Sequence, residues 1–309
     1  MAGEAPRPIA DIETIATVNL SPGEVGIGEG FVVPVGGDPV ITPPGGEPLA
    51  PSEVISVPAR HNQTLKKVLQ VVNADTDLHA IWRCQNVNAV DRLGMSDHGP
   101  VHVQIVANSA LRILRLLVRA GIVPSCVTDH NLTTDDAEVI VCLAALLHDS
   151  GMSIQRADHE QFSLFVALQK LLELLETIYL APTRRVVVSE VLNAIISHRA
   201  GGRPLTVEGG VVRVADALDM AKGRSRIPFE QGQVNIHSVS AAAVESVEIA
   251  PGETKPVRIS ITMSNAAGLF QLDELLKDKL KGSGLEPYIE VSAQILGDTD
   301  KRLFQSFKI

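Results

Sequence analysis

Apolar residues repeat at helical spacing between about residues 62 and 222, and no other feature of this chain restricts its fold as strongly. Proline, acidic first turns and closing glycines mark several of the segment ends. One short segment is predicted around residues 65–72, and five longer ones follow, over about residues 100–120, 135–149, 159–179, 183–198 and 210–221. Successive helices with short connections favour an all-α core.

The two ends of the chain lack this pattern. The first 60 residues hold 10 of the 18 prolines, so we expect short strands such as Phe31–Val33 and Val54–Val57, an arm lying on the helical body, or partial disorder. After residue 230 the sequence predicts strands over 257–263, 288–295 and 303–309 and a helix over 269–280. The chain is therefore expected to be mainly α, with a Pro/Gly-rich segment (1–60), a helical domain (61–230) and a small α+β unit (231–309).

Charge and composition exclude several classes of protein. The formal net charge of −9 repels phosphodiester backbones, so a small anion is a more reasonable partner than long nucleic acid. No uncharged apolar run is long enough to span a membrane, and the amino terminus has no secretory pattern. Cys84, Cys126 and Cys142 form no CxxC pair, which argues against a disulfide framework or a thiolate zinc site. We therefore expect a cytoplasmic protein.

Ionisable residues interrupt the apolar faces of three predicted helices. His102 points toward the core, and a lone inward histidine is usually a hydrogen-bonded core residue. His148 and Asp149 close an apolar run, which is costly unless they bind each other, a metal ion or other partners. An ordinary ion pair at a helix end is the alternative for them. Asp216 and Asp219 share one helix face, so either could be the inward acid, and a surface acid is the alternative.

The order His102, His148-Asp149, Asp216 resembles the HD superfamily of metal-dependent phosphohydrolases. The stretch from Leu146 to Gly151 is similar to the paired His-Asp motif and its turn, and Val214-Ala215-Asp216 is similar to the closing Ala-Asp element. The resemblance covers about residues 95–225 and implies the HD-domain helical fold, with Asp216 rather than Asp219 as the last metal ligand.

Two further histidines extend the resemblance, since HD proteins with two metals have additional histidines between the His-Asp pair and the last aspartate. His159 and His198 lie there, at predicted helix ends, where favourable interaction with the helix dipole is the alternative role. The implied metal ligands are His102, His148, Asp149, His159, His198 and Asp216.

Imidazole and carboxylate ligands suit iron, manganese, zinc, nickel or cobalt, so one or two divalent ions of this kind are expected. Asp149 is the natural bridge between two ions and a candidate catalytic group. A bound ion lowers the pKa of coordinated water and provides hydroxide near neutral pH. The expected activity is hydrolysis of phosphate mono- or diesters of a small, nucleotide-like substrate.

Positive charge collects near the predicted ligands although the chain is acidic. Arginine forks match phosphate oxygens in two-point contacts, whereas ordinary surface charge is the alternative for any single residue. The predicted substrate-binding residues are Lys222, Arg224, Arg199 and Arg203. His98, four residues before His102, is a second candidate catalytic group, or a simple turn residue.

Two other functions would use the same ligands. One is an oxygenase, because some HD-fold proteins use a mixed-valence di-iron site. The other is a non-catalytic ligand sensor, with the C-terminal unit as its output or homodimer module. The basic cluster favours hydrolysis, although oxygenase substrates can carry phosphate too.

Overall fold

Eight helices form the core in the computed structural model, which describes residues 53–199, 201–221, 236–296 and 307–308. In chain order they are α1 (Gln63–Ala74), α2 (Thr76–Asn86), α3 (Pro100–Arg119), α4 (Ser125–His130), α5 (Thr134–Leu147), α6 (His159–Leu174), α7 (Thr183–Ser197) and α8 (Val207–Ala217). A π-helical turn spans Val87–Arg92 and a 3₁₀ turn spans Ser150–Ser153. The predictions for Phe31–Val33, Lys222, Arg224 and most of the strand at 303–309 lie outside the described residues.

Helix α5 lies at the centre of this core. Thr133 and Asp136 form a capping box at its start, which satisfies backbone donors of the first turn. Every side chain from Ala137 to Leu147 is buried, and α3, α7 and α8 pack against the helix. The end of α5 therefore delivers the residues that follow it into the interior of the helical core.

Helix α8 begins at Val207 instead of about residue 210, because the Thr206 side chain accepts a hydrogen bond from the Gly209 amide and caps it there. Gly210 consequently lies inside the helix. A Cβ at this position would lie 2.5 Å from the backbone carbonyl oxygen of Ser283, in the C-terminal unit. Glycine thus permits a close approach of α8 to that unit.

The strand expected at Val54–Val57 is wrong, because this stretch has no regular secondary structure. The backbone amide and carbonyl of Ile55 bond to the side-chain amide of Asn73, which takes the place of a neighbouring strand. Ile55 is buried, so this part of the segment is an arm lying on the helical body, which was one of the three structures expected for residues 1–60.

The C-terminal unit contains helix α9 (Ile236–Ala242) and a four-stranded sheet: β1 (Val244–Pro251), β2 (Val257–Met263), β3 (Ile289–Ile295) and β4 (Phe307–Lys308). β2 pairs parallel with β3, while β1 and β4 pair antiparallel with their neighbours. A helical run over 266–280 connects β2 to β3, and its last turn, Asp278–Leu280, contacts α8. The mainly α fold with a small α+β unit is confirmed, although β1, with its irregular burial, was not predicted.

Among the described helices, α3 is long and apolar enough to cross a membrane. However, 56% of its apolar window is buried inside the protein. Eleven of its side chains are buried, as is typical of the core helix of a folded domain.

One buried histidine predicts a pH-dependent stability. His79 is buried, and its ring packs edge-on against Trp82. Burial lowers the pKa of His79 below its ordinary value of 6.5 and Arg83 adds to this shift, although Glu53, the Asn73 backbone and Asp75 oppose it. The unfolded chain therefore binds a proton near pH 6.5 that the folded chain excludes, so stability falls as the pH drops below that value.

His79→Leu removes this titration at similar volume. Urea unfolding of metal-free protein at pH 7.5 and 5.5 should show a smaller loss for the variant, by at most about 1.4 kcal/mol per pH unit. All other titrating groups are the same in the two proteins, so their contributions cancel when the two losses of unfolding free energy are compared. Equal losses in the two proteins would contradict the prediction.

Candidate metal centre

Five helices bring six ionisable side chains together. α3 carries one in its first turn, α5 ends in an adjacent pair, α6 begins with one, α7 is capped by one, and α8 carries one near its end. These residues are His102, His148, Asp149, His159, His198 and Asp216, and all except Asp216 are buried to more than nine-tenths. They are the six residues that the resemblance to the HD superfamily implies as metal ligands.

The first half of the centre is formed by His102, His148 and one oxygen of Asp149. The Nε2 atoms of the two histidines are 3.3 Å apart. Oδ2 of Asp149 lies 3.4 Å from His102 Nε2 and 3.3 Å from His148 Nε2. Oδ1 of Asp216 lies 3.7 and 3.6 Å from the same two nitrogens. His102, His148 and Asp149 form a group that could hold one metal ion.

The second half uses the other oxygen of Asp149. Oδ1 lies 3.1 Å from His159 Nε2 and 3.7 Å from His198 Nε2, and these three residues form a second group that could hold an ion. Asp149 thus offers one oxygen to each half, which is the arrangement of a bridging carboxylate.

Hydrogen bonds to Nδ1 orient all four imidazoles. His148 Nδ1 lies 2.8 Å from the carbonyl oxygen of Ala145, and His198 Nδ1 lies 2.6 Å from that of Ile195. Both histidines cap their helices, so a carbonyl three residues earlier is within reach. When Nδ1 carries the proton, Nε2 presents its lone pair to the centre, as a metal ligand must.

The remaining two histidines use other partners. His159 Nδ1 lies 3.1 Å from the carbonyl oxygen of Arg156, to which a protonated Nδ1 donates. It also lies 2.8 Å from that residue's guanidinium, which can donate only to an unprotonated Nδ1. His102 Nδ1 lies 2.6 Å from Oδ2 of Asp219. Both acids that the sequence offered are therefore used: Asp216, in α8, faces the Nε2 atoms, and Asp219, just after α8, holds the opposite side of the His102 ring.

The electrostatics of the centre fit a cation. Burial disfavours a charged His148, but Asp149 and Asp216 outweigh burial and raise its pKa to about 10. Burial by itself would raise the pKa of Asp149, yet His148, with hydrogen bonds from His102 and His159, holds it well below its usual range. The carboxylate oxygens of Asp149 and Asp216 that surround His102 and His148 therefore favour a positive charge at this place.

The second half behaves differently. Burial, together with His148 and Lys279, lowers the pKa of His198 to about 3, so this imidazole is neutral. Its buried Nε2 has no hydrogen-bond partner among the described residues. A neutral imidazole fits a metal ligand when its Nε2 faces a carboxylate oxygen and no proton donor lies between the two atoms. The donors on both sides therefore fit transition-metal ions.

The other predicted site residues lie around this centre. The His98 ring packs beside His102, with centroids 5.4 Å apart, and its Nδ1 lies 2.7 Å from the carbonyl oxygen of Ser96. Arg199 and Arg203 are exposed. The structure thus places His98 and Arg199 next to ligands in space or in sequence, but shows no contact between Arg203 and the six side chains.

An open pocket of about 910 Å³ is lined by Asp158, Glu160 and Arg199, the sequence neighbours of His159 and His198, and by none of the six converging side chains. Its lining includes three arginines, Arg92, Arg156 and Arg199. Sequence reasoning missed two of them, although Arg156 stands only three residues before His159. It also missed Lys279, whose Nζ lies 3.1 Å from Oδ2 of Asp216, because nothing in the local sequence links positions 63 residues apart.

Asp219 gives a direct test of the first half. Asp219→Asn keeps the size of the side chain but removes the charge next to Nδ1 of His102. Replacing such an outer partner commonly costs 10- to 100-fold in metal affinity, so we expect a loss of about this size. Competition with a chelator measures it, and Asp91→Asn, an exposed acid, is the control. An unchanged affinity would mean that Asp219 does not tune this ligand.

The sequence model of the HD domain matches residues 102–221, which hold all six converging side chains. The chain is also 43% identical over 232 residues to "Uncharacterized protein MJ1020" of Methanocaldococcus jannaschii, covering 75% of this chain and 89% of that relative. No solved structure matches significantly.

Proposed function

This chain belongs to the HD-domain family, and on that premise we propose that it hydrolyses phosphate mono- or diesters of a small, nucleotide-like substrate. The family consists in general of metal-dependent hydrolases. The observation that carries the proposal is the Asp149 carboxylate, whose two oxygens face two separate pairs of histidines. A dinuclear centre of this kind suits displacement at phosphorus, since two charges can stabilise both the attacking and the leaving oxygen.

Each of the six residues is assigned to one or both of two metal ions. His102, His148 and Asp216 would hold the first ion, His159 and His198 the second, and Asp149 both. Divalent ions bound there supply hydroxide near neutral pH and neutralise charge on the phosphoryl group. Burial of the ligands keeps bulk water out, which strengthens these interactions.

The pocket lined by the sequence neighbours of His159 and His198 supports the choice of substrate. Arg92, Arg156 and Arg199 offer guanidinium groups, which recognise phosphate oxygens. Leu93 and Ile154 line the same pocket with exposed fractions of 48% and 53%, and could pack against an apolar ring. Cations beside exposed apolar side chains suit a nucleotide better than inorganic phosphate alone.

Four further predicted residues complete the proposal: Lys222, Arg224, Arg203 and His98. Lys222 and Arg224 follow the α8 region and would add positive charge, and Arg203 would act at longer range. His98 would contact the substrate beside His102.

Metal analysis followed by an activity panel tests the function. Protein as purified is expected to contain a transition metal, and metal-free protein reloaded with iron, manganese, zinc, nickel or cobalt is assayed on nucleotide mono- and diesters. Release of phosphate or of a nucleoside monophosphate, lost on chelation, is the expected result. Oxygen consumption by the iron-loaded protein without hydrolysis would identify an oxygenase instead, and metal binding with neither activity would indicate a sensor.

A further inference from the structure

One cation reaches the centre from outside the residues matched by the HD model. Lys279 belongs to the helical run between β2 and β3, and its Nζ lies 3.1 Å from Oδ2 of Asp216. The same ammonium group donates to the backbone carbonyl of His198. It therefore contacts one residue from each half of the centre.

Arg213 fixes the backbone around Lys279. Its guanidinium donates to the carbonyl oxygens of Lys279 (2.9 Å) and Asp278 (3.1 Å) in the C-terminal unit. It also donates to the carbonyls of Ser197 and Arg199, on either side of His198. Arg213 is buried, so this one side chain joins the α7 end, α8 and the C-terminal unit. The Lys279 ammonium is held in place before any ligand arrives, as efficient electrostatic stabilisation requires.

A purely structural ion pair explains Lys279 poorly. Its side chain is only 18% exposed, and an ion pair so placed gains little net stability, since both charges lose hydration. Oδ1 of Asp216 faces His102 and His148, so a divalent ion there would share the carboxylate and repel the ammonium. A neutral hydrogen-bond donor would orient Asp216 without this repulsion. The positive charge is useful when an anion enters the centre.

We propose that Lys279 binds the phosphoryl oxygens of the substrate at the metal centre, so that the C-terminal α+β unit completes the active site. This proposal rests on the proposed function, because it assigns the phosphate of that substrate to this ammonium group. Lys279 has three N–H donors, and its two contacts with Asp216 and His198 leave one to direct at a phosphoryl oxygen.

Binding of inorganic phosphate tests the proposal without turnover. In Lys279→Met, which keeps the length of the side chain but not its charge, calorimetry on metal-loaded protein should show phosphate affinity reduced at least tenfold, as for loss of a charged hydrogen bond. Metal affinity, measured by competition with a chelator, should stay equal or increase, because a repelling charge is gone. Lys277→Met is the matched control, since Lys277 pairs with Asp273 at the surface of the same segment, and it should bind phosphate normally.

Other outcomes overturn the proposal. Unchanged phosphate affinity in Lys279→Met would contradict it. Weakened metal binding with normal phosphate binding would also contradict it, because Lys279 would then only position Asp216. If Lys279→Met does not fold, Lys279→Gln, which still donates to Asp216 and His198, must show the same loss of phosphate affinity.

The wild-type protein separates this proposal from the proposed function. Phosphate binding that depends on Lys279, in a protein that hydrolyses no ester, would leave the inference standing and refute the hydrolase. Ester hydrolysis by a wild type whose phosphate affinity does not depend on Lys279 would support the hydrolase and refute the inference about Lys279.

Discussion

Asp149→Ala is expected to empty both halves of the metal centre and to abolish turnover. The reason lies in the position of its carboxylate: Oδ2 is 3.3 Å from His148 Nε2 and Oδ1 is 3.1 Å from His159 Nε2. Alanine removes one ligand atom from each group and the negative charge that the two ions share. Loss of both ions removes the source of hydroxide and the charge neutralisation, so we expect activity to fall by roughly a thousandfold or more, about 4 kcal/mol.

Elemental analysis and circular dichroism measure this outcome together. The variant should carry less than about 0.1 ion per chain while its helical signal stays close to that of the wild type, because Asp149 follows α5 and is not part of its packing. Asp129→Ala, on the exposed face of α4, makes the same charge change and should retain metal and activity. Full occupancy in Asp149→Ala would refute the bridging role.

The sequence predicts six of the eight core helices, because periodicity reports which face of a helix is buried, but it does not predict α2 and α4. Periodicity places His102, at the start of α3, and His148, at the end of α5, on the inward sides of their helices. The HD resemblance then implies that both are metal ligands. The same periodicity says nothing about which atom of one inward side chain meets which atom of another. The choice between Asp216 and Asp219 therefore needed the resemblance, and only the structure assigns Asp219 to Nδ1 of His102.

Contacts between distant parts of the chain were beyond the sequence. Lys279 looks like a surface residue of an amphipathic helix, and its contact with Asp216 depends on how the C-terminal unit docks. That docking in turn depends on Gly210, which lets α8 approach Ser283, and on Arg213, which binds backbone carbonyls. Backbone carbonyls are present at every residue, so no sequence pattern identifies the ones that an arginine will bind.

The same limit applies to the arm at Ile55. Its alternating apolar residues satisfy the pattern of a strand, yet its hydrogen bonds go to the Asn73 side chain. Pattern alone establishes that Ile55 is buried, whereas the identity of its hydrogen-bond partner decides whether the segment is a strand.

The second large effect is expected from the double variant His159→Ala, His198→Ala, which should reduce metal binding from two ions per chain to one. These histidines and Oδ1 of Asp149 form the second group, whereas His102, His148 and Oδ2 of Asp149 do not depend on them. His198 is neutral, and its buried Nε2 has no hydrogen-bond partner in the described part of the chain, so its loss removes a candidate ligand and leaves the first group's ionic contacts in place. Without the second ion one side of the displacement loses its charge stabilisation, which is worth several kcal/mol, or at least a hundredfold in rate.

Calorimetric titration of metal-free protein counts the ions. The wild type should show two binding events and the variant one, with the affinity of the remaining site changed by less than about tenfold, or 1.4 kcal/mol. His61→Ala, His130→Ala is the matched control, since both histidines are exposed and lie outside the six converging residues. A wild type that never exceeds one ion at saturating metal would show that the centre is mononuclear. A double variant that still binds two would move the second ion away from His159 and His198. In either case Asp149 could not act as a bridge between these two pairs of histidines.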